Sequence, residues 1–544
     1  MASSQASDYA NKHDSGVVAE PLADSSRQTS SNSTTVDVDE YGHLTLWQAI
    51  RKWNRVFWYS LAISSTILMF GYDFVIVGNS SSMPAFQHDF GEYYQGQWII
   101  PSLWLGLWTF ISPGGMMIGS LFVGYFQDWY GRKASFFVSS FLAAIATAIC
   151  FCSQYPDEIL QRRGTFLGGK GFQGLALGMM MTTCQTYLSE IAPPKLRGPL
   201  LAFFPIFTLV GQLIGALVIY GLVSSPNGYA IAFATQWIFA VIAFVVSFII
   251  PESPIYLIRK GQIEKARKAQ HRLAGHDTDP DRILSIMERD IEHENRQSPA
   301  TLTACFSKIQ LRRTMVVLFT SVLPQMFGLT LLSQASYFGQ VVGIEAKVSL
   351  VLLIAGVLTG CIANIISMWS IGRFGHRSLS LVGLTVCGFL WLSMGIAGSI
   401  ARNITVAWYC SAILILVTAS SGLTVWPASY AVGSEVSTLH LRAKAQGAGW
   451  LFSSAFSAGF GLGLPYIYNP DAGNLRAMVG YIFAAFCFFS LIITWLYVPE
   501  MKGRTPSEID RMFDLKLRTR EFKHWRADGA LESAKYYRSR SVWI

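Results

Sequence analysis

The sequence predicts an all-α membrane protein with twelve transmembrane helices in two pseudo-symmetric halves of six. Three observations predict it. Of the 544 residues, 51% are hydrophobic and only 14% charged, where soluble domains average about 25% charged. Apolar runs of about 20 residues recur along most of the chain, each long enough to cross a hydrocarbon core of roughly 30 Å as a helix. Landmark residues of the first half also return in the second at a nearly constant offset. Backbone groups in lipid must be bonded internally, so the long apolar runs read as helices.

Taken in order, the chain opens on a polar stretch rich in Ser, Thr and Asp, with no apolar core of a signal peptide. Residues 1–50 therefore read as a disordered cytosolic tail. Apolar spans follow at 57–79, 98–124, 134–153, 164–187, 199–223 and 231–250, all within an N-terminal bundle, 51–250. A polar linker, 251–312, holds two expected surface helices, 258–273 and 281–296. The second starts behind Asp279-Pro280, a cap followed by proline at the first helical position. Spans at 313–339, 347–371, 378–400, 405–433, 445–468 and 476–498 make a C-terminal bundle, 313–498, and 499–544 is a cytosolic tail.

A net charge of +9 would suggest nucleic acid in a soluble protein. Here the basic residues sit in alternate short loops, as at Arg51-Lys52, Arg132-Lys133, Arg373/Arg377 and Arg442/Lys444, while loop 80–97 has none. The positive-inside rule puts both termini in the cytosol, with Arg162-Arg163 and Arg402 as exceptions. The eight cysteines lie mostly within apolar spans, and their spacing suggests neither a metal site nor a disulfide framework. No nucleotide loop, metal cluster or nucleophile elbow points to an enzyme or a cofactor.

The repeat is specific. Asp128-Trp-Tyr-Gly131-Arg132-Lys133 follows span two, and Gly372-Arg373-Phe-Gly375-His376-Arg377 follows span eight, 244 positions on. Glu190 and Glu435, each seven residues before an arginine (Arg197, Arg442), are 245 apart. Pro251-Glu252 and Pro499-Glu500, closing spans six and twelve, are 248 apart. Internal duplication with a site between the halves is a recurring transporter design.

At these residues the sequence resembles the major facilitator superfamily, and within it the sugar porter family, from span one to Phe513. The matching pieces include Gly71-Tyr72-Asp73, Gly124-x3-Asp128-x2-Gly131-Arg132-Lys133 and Tyr187-Leu-Ser-Glu190-Ile-Ala-Pro193. Pro251-Glu-Ser-Pro254 and Pro499-Glu500-x-Lys502-Gly503-Arg504-Thr505 complete them. Gln236-Trp237, and Gly372 where most members have Asp, resemble the fungal α-glucoside branch. The resemblance implies a monomeric plasma-membrane carrier of a small solute, with a sugar and protons as its cargo.

Asp73 is an acid inside an apolar span, a costly placement that marks function. By resemblance it pairs with Lys170, which stands where the family usually has Arg, and the pair either couples transport to protons or is a static bridge. Asp128, Glu190 and Glu435, with Arg132, Arg197, Arg373 and Arg442 as partners, form a cytosolic gate or only mark topology.

The substrate positions implied by the resemblance depart from the hexose pattern. Pro205 and Pro324 stand where glutamines are usual, beside a retained Gln325, and Thr330, Tyr430, Ser453 and Ser457 replace Asn, Trp and two Asn. A mid-helix proline leaves the carbonyl four residues earlier, Leu201 or Thr320, free to face a cavity, or merely kinks the helix. Gln334, Asn364, Gln212, Asn79, Tyr337, Phe338 and Trp426 are further polar or stacking candidates. Asn403 and Asn79 open glycosylation sequons near external loops, and Asn32 opens one in the cytosolic tail. Three functions stay open: proton-driven sugar uptake, a sugar-porter scaffold carrying another small molecule such as a fungal metabolite inward or outward, and a non-transporting sensor.

Overall fold

The computed structural model describes residues 46–525 apart from 194–195, 197–199, 201–202, 275–278, 297–301, 401–402, 439–440, 503, 505 and 524. Arg197, Arg402, Leu201 and the Asn32 sequon lie outside the described residues. Each of the twelve expected spans corresponds to helix. Span one is Asn54–Ser64 with Ile67–Ser80, and spans two to five are Ser102–Tyr130, Arg132–Cys152, Ile159–Ile191 and Phe203–Leu222. Span six is Gly228–Ala234 with Gln236–Ile249; span seven is broken into Leu311–Met326, Leu329–Ser333 and Ala335–Val342. Spans eight and nine are Ala346–Phe374 and His376–Ile400, span ten is Ile404–Leu423 with Val425–Val436, span eleven is Arg442–Tyr468, and span twelve is Val479–Tyr497 behind a short 3-10 turn.

Among the described residues, nine of these are apolar and long enough by composition to cross a membrane. The other three are spans four, seven and eleven. Span four carries Arg162, Arg163, Lys170 and Glu190, span seven is interrupted, and span eleven is rich in Gly and Ser. The break in span seven has a local cause. Pro324 cannot donate to the preceding turn, and Gly328 then takes φ +97° where an added Cβ would sit 2.8 Å from the Trp391 ring.

Helices in lipid gain little from excluding water, so they associate by close backbone approach at small residues. Gly115 and Gly119 of span two face Gly174 and Gly178 of span four. An added Cβ on Gly119 would lie 2.1 Å from the Leu175 carbonyl oxygen, and one on Gly174 the same distance from that of Ser112. The halves meet where span two packs on span eleven and span five on span eight, two pairs related by the internal repeat.

The end opposite the linker helices is closed by hydrogen bonds between the halves. Gln87 Nε2 donates to Gln340 Oε1 at 2.8 Å, Ser336 Oγ to Asn79 Oδ1 at 2.8 Å, Asn469 Nδ2 to the Ile100 carbonyl at 2.8 Å, and Ser102 Oγ to Asp471 Oδ1 at 2.5 Å. A small antiparallel hairpin, Glu92–Tyr94 with Gln97–Ile99, covers this end. Arg162 and Arg163 prove to be fasteners for it. Arg163 donates to the Phe90 and Gly91 carbonyls and to Glu92 Oε1, and Arg162 lies 3.8 Å from Asp89. That work explains why two arginines sit on the side where basic residues are sparse.

At the opposite end, the linker helices Pro254–Arg259, Ile263–Leu273 and Pro280–Arg296 follow span six. The segment after span twelve does not trail away. Helix Pro506–Asp514 and residues to Trp525 bury Met512, Phe522 and Trp525 against Val316, Val317, Val432 and Val436 of spans seven and ten. Arg313 of span seven pairs with Asp510 of that helix.

Candidate transport site

Gly71-Tyr72-Asp73 sends three consecutive residues to three different elements. Gly71 lets span five come close, since an added Cβ would lie 2.1 Å from the Thr208 carbonyl oxygen. Tyr72 donates its hydroxyl to the Ala232 carbonyl of span six at 2.9 Å. Asp73 turns into a central cavity between the halves. There its Oδ1 accepts from Lys170 Nζ of span four, and its Oδ2 accepts from Ser112 of span two at 3.1 Å. Both charged groups are buried, with Asp73 5% and Lys170 1% exposed. Two ions out of water are tolerated because each satisfies the other.

Most sequence candidates converge on this cavity. Pro205, Pro324, Gln325, Thr330, Gln334, Trp426, Tyr430, Ser453 and Ser457 line it with Asp73, Lys170 and Gln212. Gln325 Oε1 accepts from Thr330 at 2.5 Å, and Gln334 Oε1 accepts from Tyr468 at 2.8 Å. The second bond leaves Gln334 Nε2 buried without a partner, as is Gln212 Nε2. Unsatisfied buried donors cost free energy unless a ligand meets them. Asn364 is placed elsewhere. It is buried in span eight and does not line the cavity. Tyr337 and Phe338 are likewise outside its walls: the Tyr337 hydroxyl bonds to Asn469 at 3.1 Å, within the closed end.

Sequence reasoning did not single out Phe70, Phe74, Trp108, Phe204 or Trp450, which give the cavity much of its wall. Trp450 faces Tyr430 at a centroid distance of 5.9 Å and an angle of 31°, and Phe204 across the halves at 5.2 Å. Aromatic residues are common in apolar spans, so nothing in the residue type marks these as cavity-facing.

The residues at the linker end make a repeated unit within each half. Arg132 Nε and Nη2 donate to both oxygens of Glu190, at 3.0 and 2.6 Å, and Asp128 lies 3.6 Å from Arg132. Glu252 caps span three, accepting from the backbone N–H of Arg132 at 2.9 Å and of Lys133 at 3.2 Å, where a negative group suits the helix N-terminus. Burial holds the Glu252 carboxyl above its ordinary range despite these hydrogen bonds. Gly131, at φ +95°, is the one residue that fits, because a Cβ there would lie 2.5 Å from Glu252 Oε2. Glu500 stands in the same relation to Gly375 and span nine, accepting from Ser378 N–H at 3.4 Å. The second half differs, with Gly372 and His376 at the positions of Asp128 and Arg132. Glu435 is met by His376, at 3.2 Å, while Arg373 lies over the Trp369 ring at 5.5 Å. Arg442 begins span eleven.

Of the two described sequons, Asn403 is exposed and caps span ten through Val406 N–H at 3.0 Å. Asn79 is fully buried and engaged by Ser336, so it does not present its amide for glycosylation.

The family model described as "Sugar (and other) transporter" matches residues 59–513. The chain belongs to that family. An MFS transporter of Aspergillus fumigatus, fmqE, is 28% identical over 514 residues, covering 90% of this chain and 93% of the relative. The alpha-glucosides permease MPH3 of Saccharomyces cerevisiae is 27% identical over 511 residues, covering 90% and 83%. Among solved structures, the proton:xylose symporter XylE bound to 6-bromo-6-deoxy-D-glucose superposes with TM-score 0.67 at 17% identity, over 85% of this chain and all of that one. A partially occluded inward-open form of XylE from E. coli gives 0.67 at 19% identity, over 83% of this chain and 100% of that one. These place the chain in the major facilitator fold, a multi-pass membrane architecture. The family and its relatives are transporters and permeases, not enzymes.

Proposed function

We propose that this sugar porter family member is a proton-coupled importer of a sugar of the α-glucoside class. The observation that carries the reading is the buried Asp73–Lys170 pair in the wall of the central cavity. A proton on Asp73 removes its charge, releasing Lys170 and Ser112 from the carboxylate. The halves then rearrange around the bound solute at lower electrostatic cost. The alpha-glucosides permease among the relatives supports the substrate class, and the proton symport named for XylE fits the coupling. The cytosolic units are read as the inner gate, Arg132 with Asp128 and Glu190 and His376 with Glu435, and Arg373, Arg442 and Arg197 as further members. In this reading both termini face the cytosol of a plasma-membrane carrier that works as a monomer, with 51–250 and 313–498 as its moving bundles and 251–312 as the linker.

Uptake of labelled maltose and glucose, at acid and neutral pH, in cells lacking their own carriers tests it. Acid-stimulated uptake that Asp73→Asn abolishes is expected. No uptake of either sugar with the protein at the cell surface refutes the substrate class. Pro205 and Pro324 in the cavity wall favour a second reading, a carrier of a less hydroxylated solute, because two amide side chains are absent there. Pro205→Gln with Pro324→Gln broadens sugar uptake under that reading; an unchanged substrate range counts against it.

A further inference from the structure

Beside the central cavity lies a second, smaller chamber, between spans five, seven, eight and ten. The two chambers share Phe74, Gln212, Leu329, Ser333 and Trp426, so they adjoin across these side chains. The chemistry of the second differs from that of the first. Leu209, Leu332, Leu353, Val357 and Leu414 supply apolar walls, the hydroxyls of Ser349, Ser411, Thr418 and Ser421 donate to carbonyls of their own helices, and no charged side chain lines it. Glycine and alanine hold it open. Gly356 projects toward it from span eight, and an added Cβ there would meet only Ile415, at an ordinary 3.7 Å. Close-packed interiors contain few voids larger than a water molecule, and apolar ones stay dry and accept apolar guests.

Gln212 stands at the junction. Its side chain is 6% exposed, and its Nε2 is buried with no hydrogen-bond partner. A donor in that state, on the wall of both chambers, calls for an acceptor atom placed between them.

We infer that the side chamber is a subsite for an apolar aryl or alkyl group of the substrate, joined to its polar part through an oxygen that accepts from Gln212. The solutes taken up then include amphiphilic ones, a glycoside or comparable conjugate whose apolar group enters the side chamber. This rests on the central cavity being the solute site.

Isothermal titration of the full chain in lipid nanodiscs tests it with three probes: methyl α-D-glucopyranoside, 4-nitrophenyl α-D-glucopyranoside and N-(4-nitrophenyl)acetamide. Burying a ring the size of a phenylalanine side chain predicts that the aryl glucoside binds at least about tenfold tighter than the methyl glucoside. Gly356→Leu, which fills the chamber, removes that advantage and leaves the methyl glucoside unchanged. Ser411→Leu does the same from span ten, and Gly356→Ala serves as the mild control. Gln212→Leu weakens the aryl glucoside more than the methyl one. Equal affinities for the two glucosides, an equal loss of both in the filled variants, or no binding of any probe overturns the inference. Binding of the aryl amide but not of methyl glucoside, lost in Gly356→Leu, upholds the chamber and removes the sugar reading of the central cavity instead.

Discussion

Removing the charge of Asp73 separates a working ion pair from a structural one. In Asp73→Asn, Lys170 loses its counter-ion in a site where it is 1% exposed. Breaking a buried pair from one side costs about 3–5 kcal/mol, whereas replacing both partners by neutral groups of similar size is often neutral or stabilising. Asp73→Asn is therefore expected to lose about 3–5 kcal/mol in an unfolding equilibrium measured in bicelles. Asp73→Asn combined with Lys170→Met is expected to recover most of it. Transport takes the opposite course. In proteoliposomes with an imposed pH gradient, both variants fail to accumulate solute, because neither has a carboxylate to load. A stable double variant that still accumulates solute with the gradient refutes coupling through Asp73. A single variant as stable as the wild type refutes the burial argument itself.

Further expectations come from the helix contacts and the caps. Gly174→Ala places a Cβ 2.1 Å from the Ser112 carbonyl and should sharply reduce folded protein in size-exclusion profiles, while Gly124→Ala, with nothing within 4 Å, should not. Glu252 has its native carboxyl held above the ordinary value of 4.5, so the native state binds more protons in the window upward from 4.5, and this group's contribution to stability falls as pH rises through it. The difference in unfolding temperature between wild type and Glu252→Gln should drift downward across that window; a flat difference contradicts the burial of this carboxyl. Asn403→Gln should shed a glycan-sized mass increment when the protein is made in a secretory pathway, and Asn79→Gln should leave the mass pattern unchanged.

Most of the architecture was readable from the chain because two constraints are strong: lipid forces helices, and duplication repeats their landmarks. Spans four, seven and eleven are the weakest by apolarity because they carry Lys170, the Pro324–Gly328 break and the Ser453–Ser457 stripe. They were still legible as apolar runs, and the landmark repeat agrees with a division into six and six. Asp73 and Lys170 were legible for the same physical reason, as charges that an apolar span admits only with a partner. Their meeting is now a contact, while the role given to them stays a proposal. The cavity's aromatic wall was not legible, since Phe70, Phe74 and Trp450 look like lipid-facing residues until the helices are assembled. The contact of Glu435 with His376 was hidden by residue type. Register places His376 opposite Arg132, but an arginine nearby, Arg373, looked the natural partner. Asn79 has a sequon's spacing but is buried by Ser336 of the other half, a contact no local pattern encodes.

The most direct test of proton-coupled solute import is the pH of a weakly buffered medium outside proteoliposomes when maltose is added. Coupled entry through Asp73 predicts that the medium turns alkaline as maltose enters, and that Asp73→Asn abolishes the change. Maltose entry with no change in external pH, equal in wild type and Asp73→Asn, contradicts it.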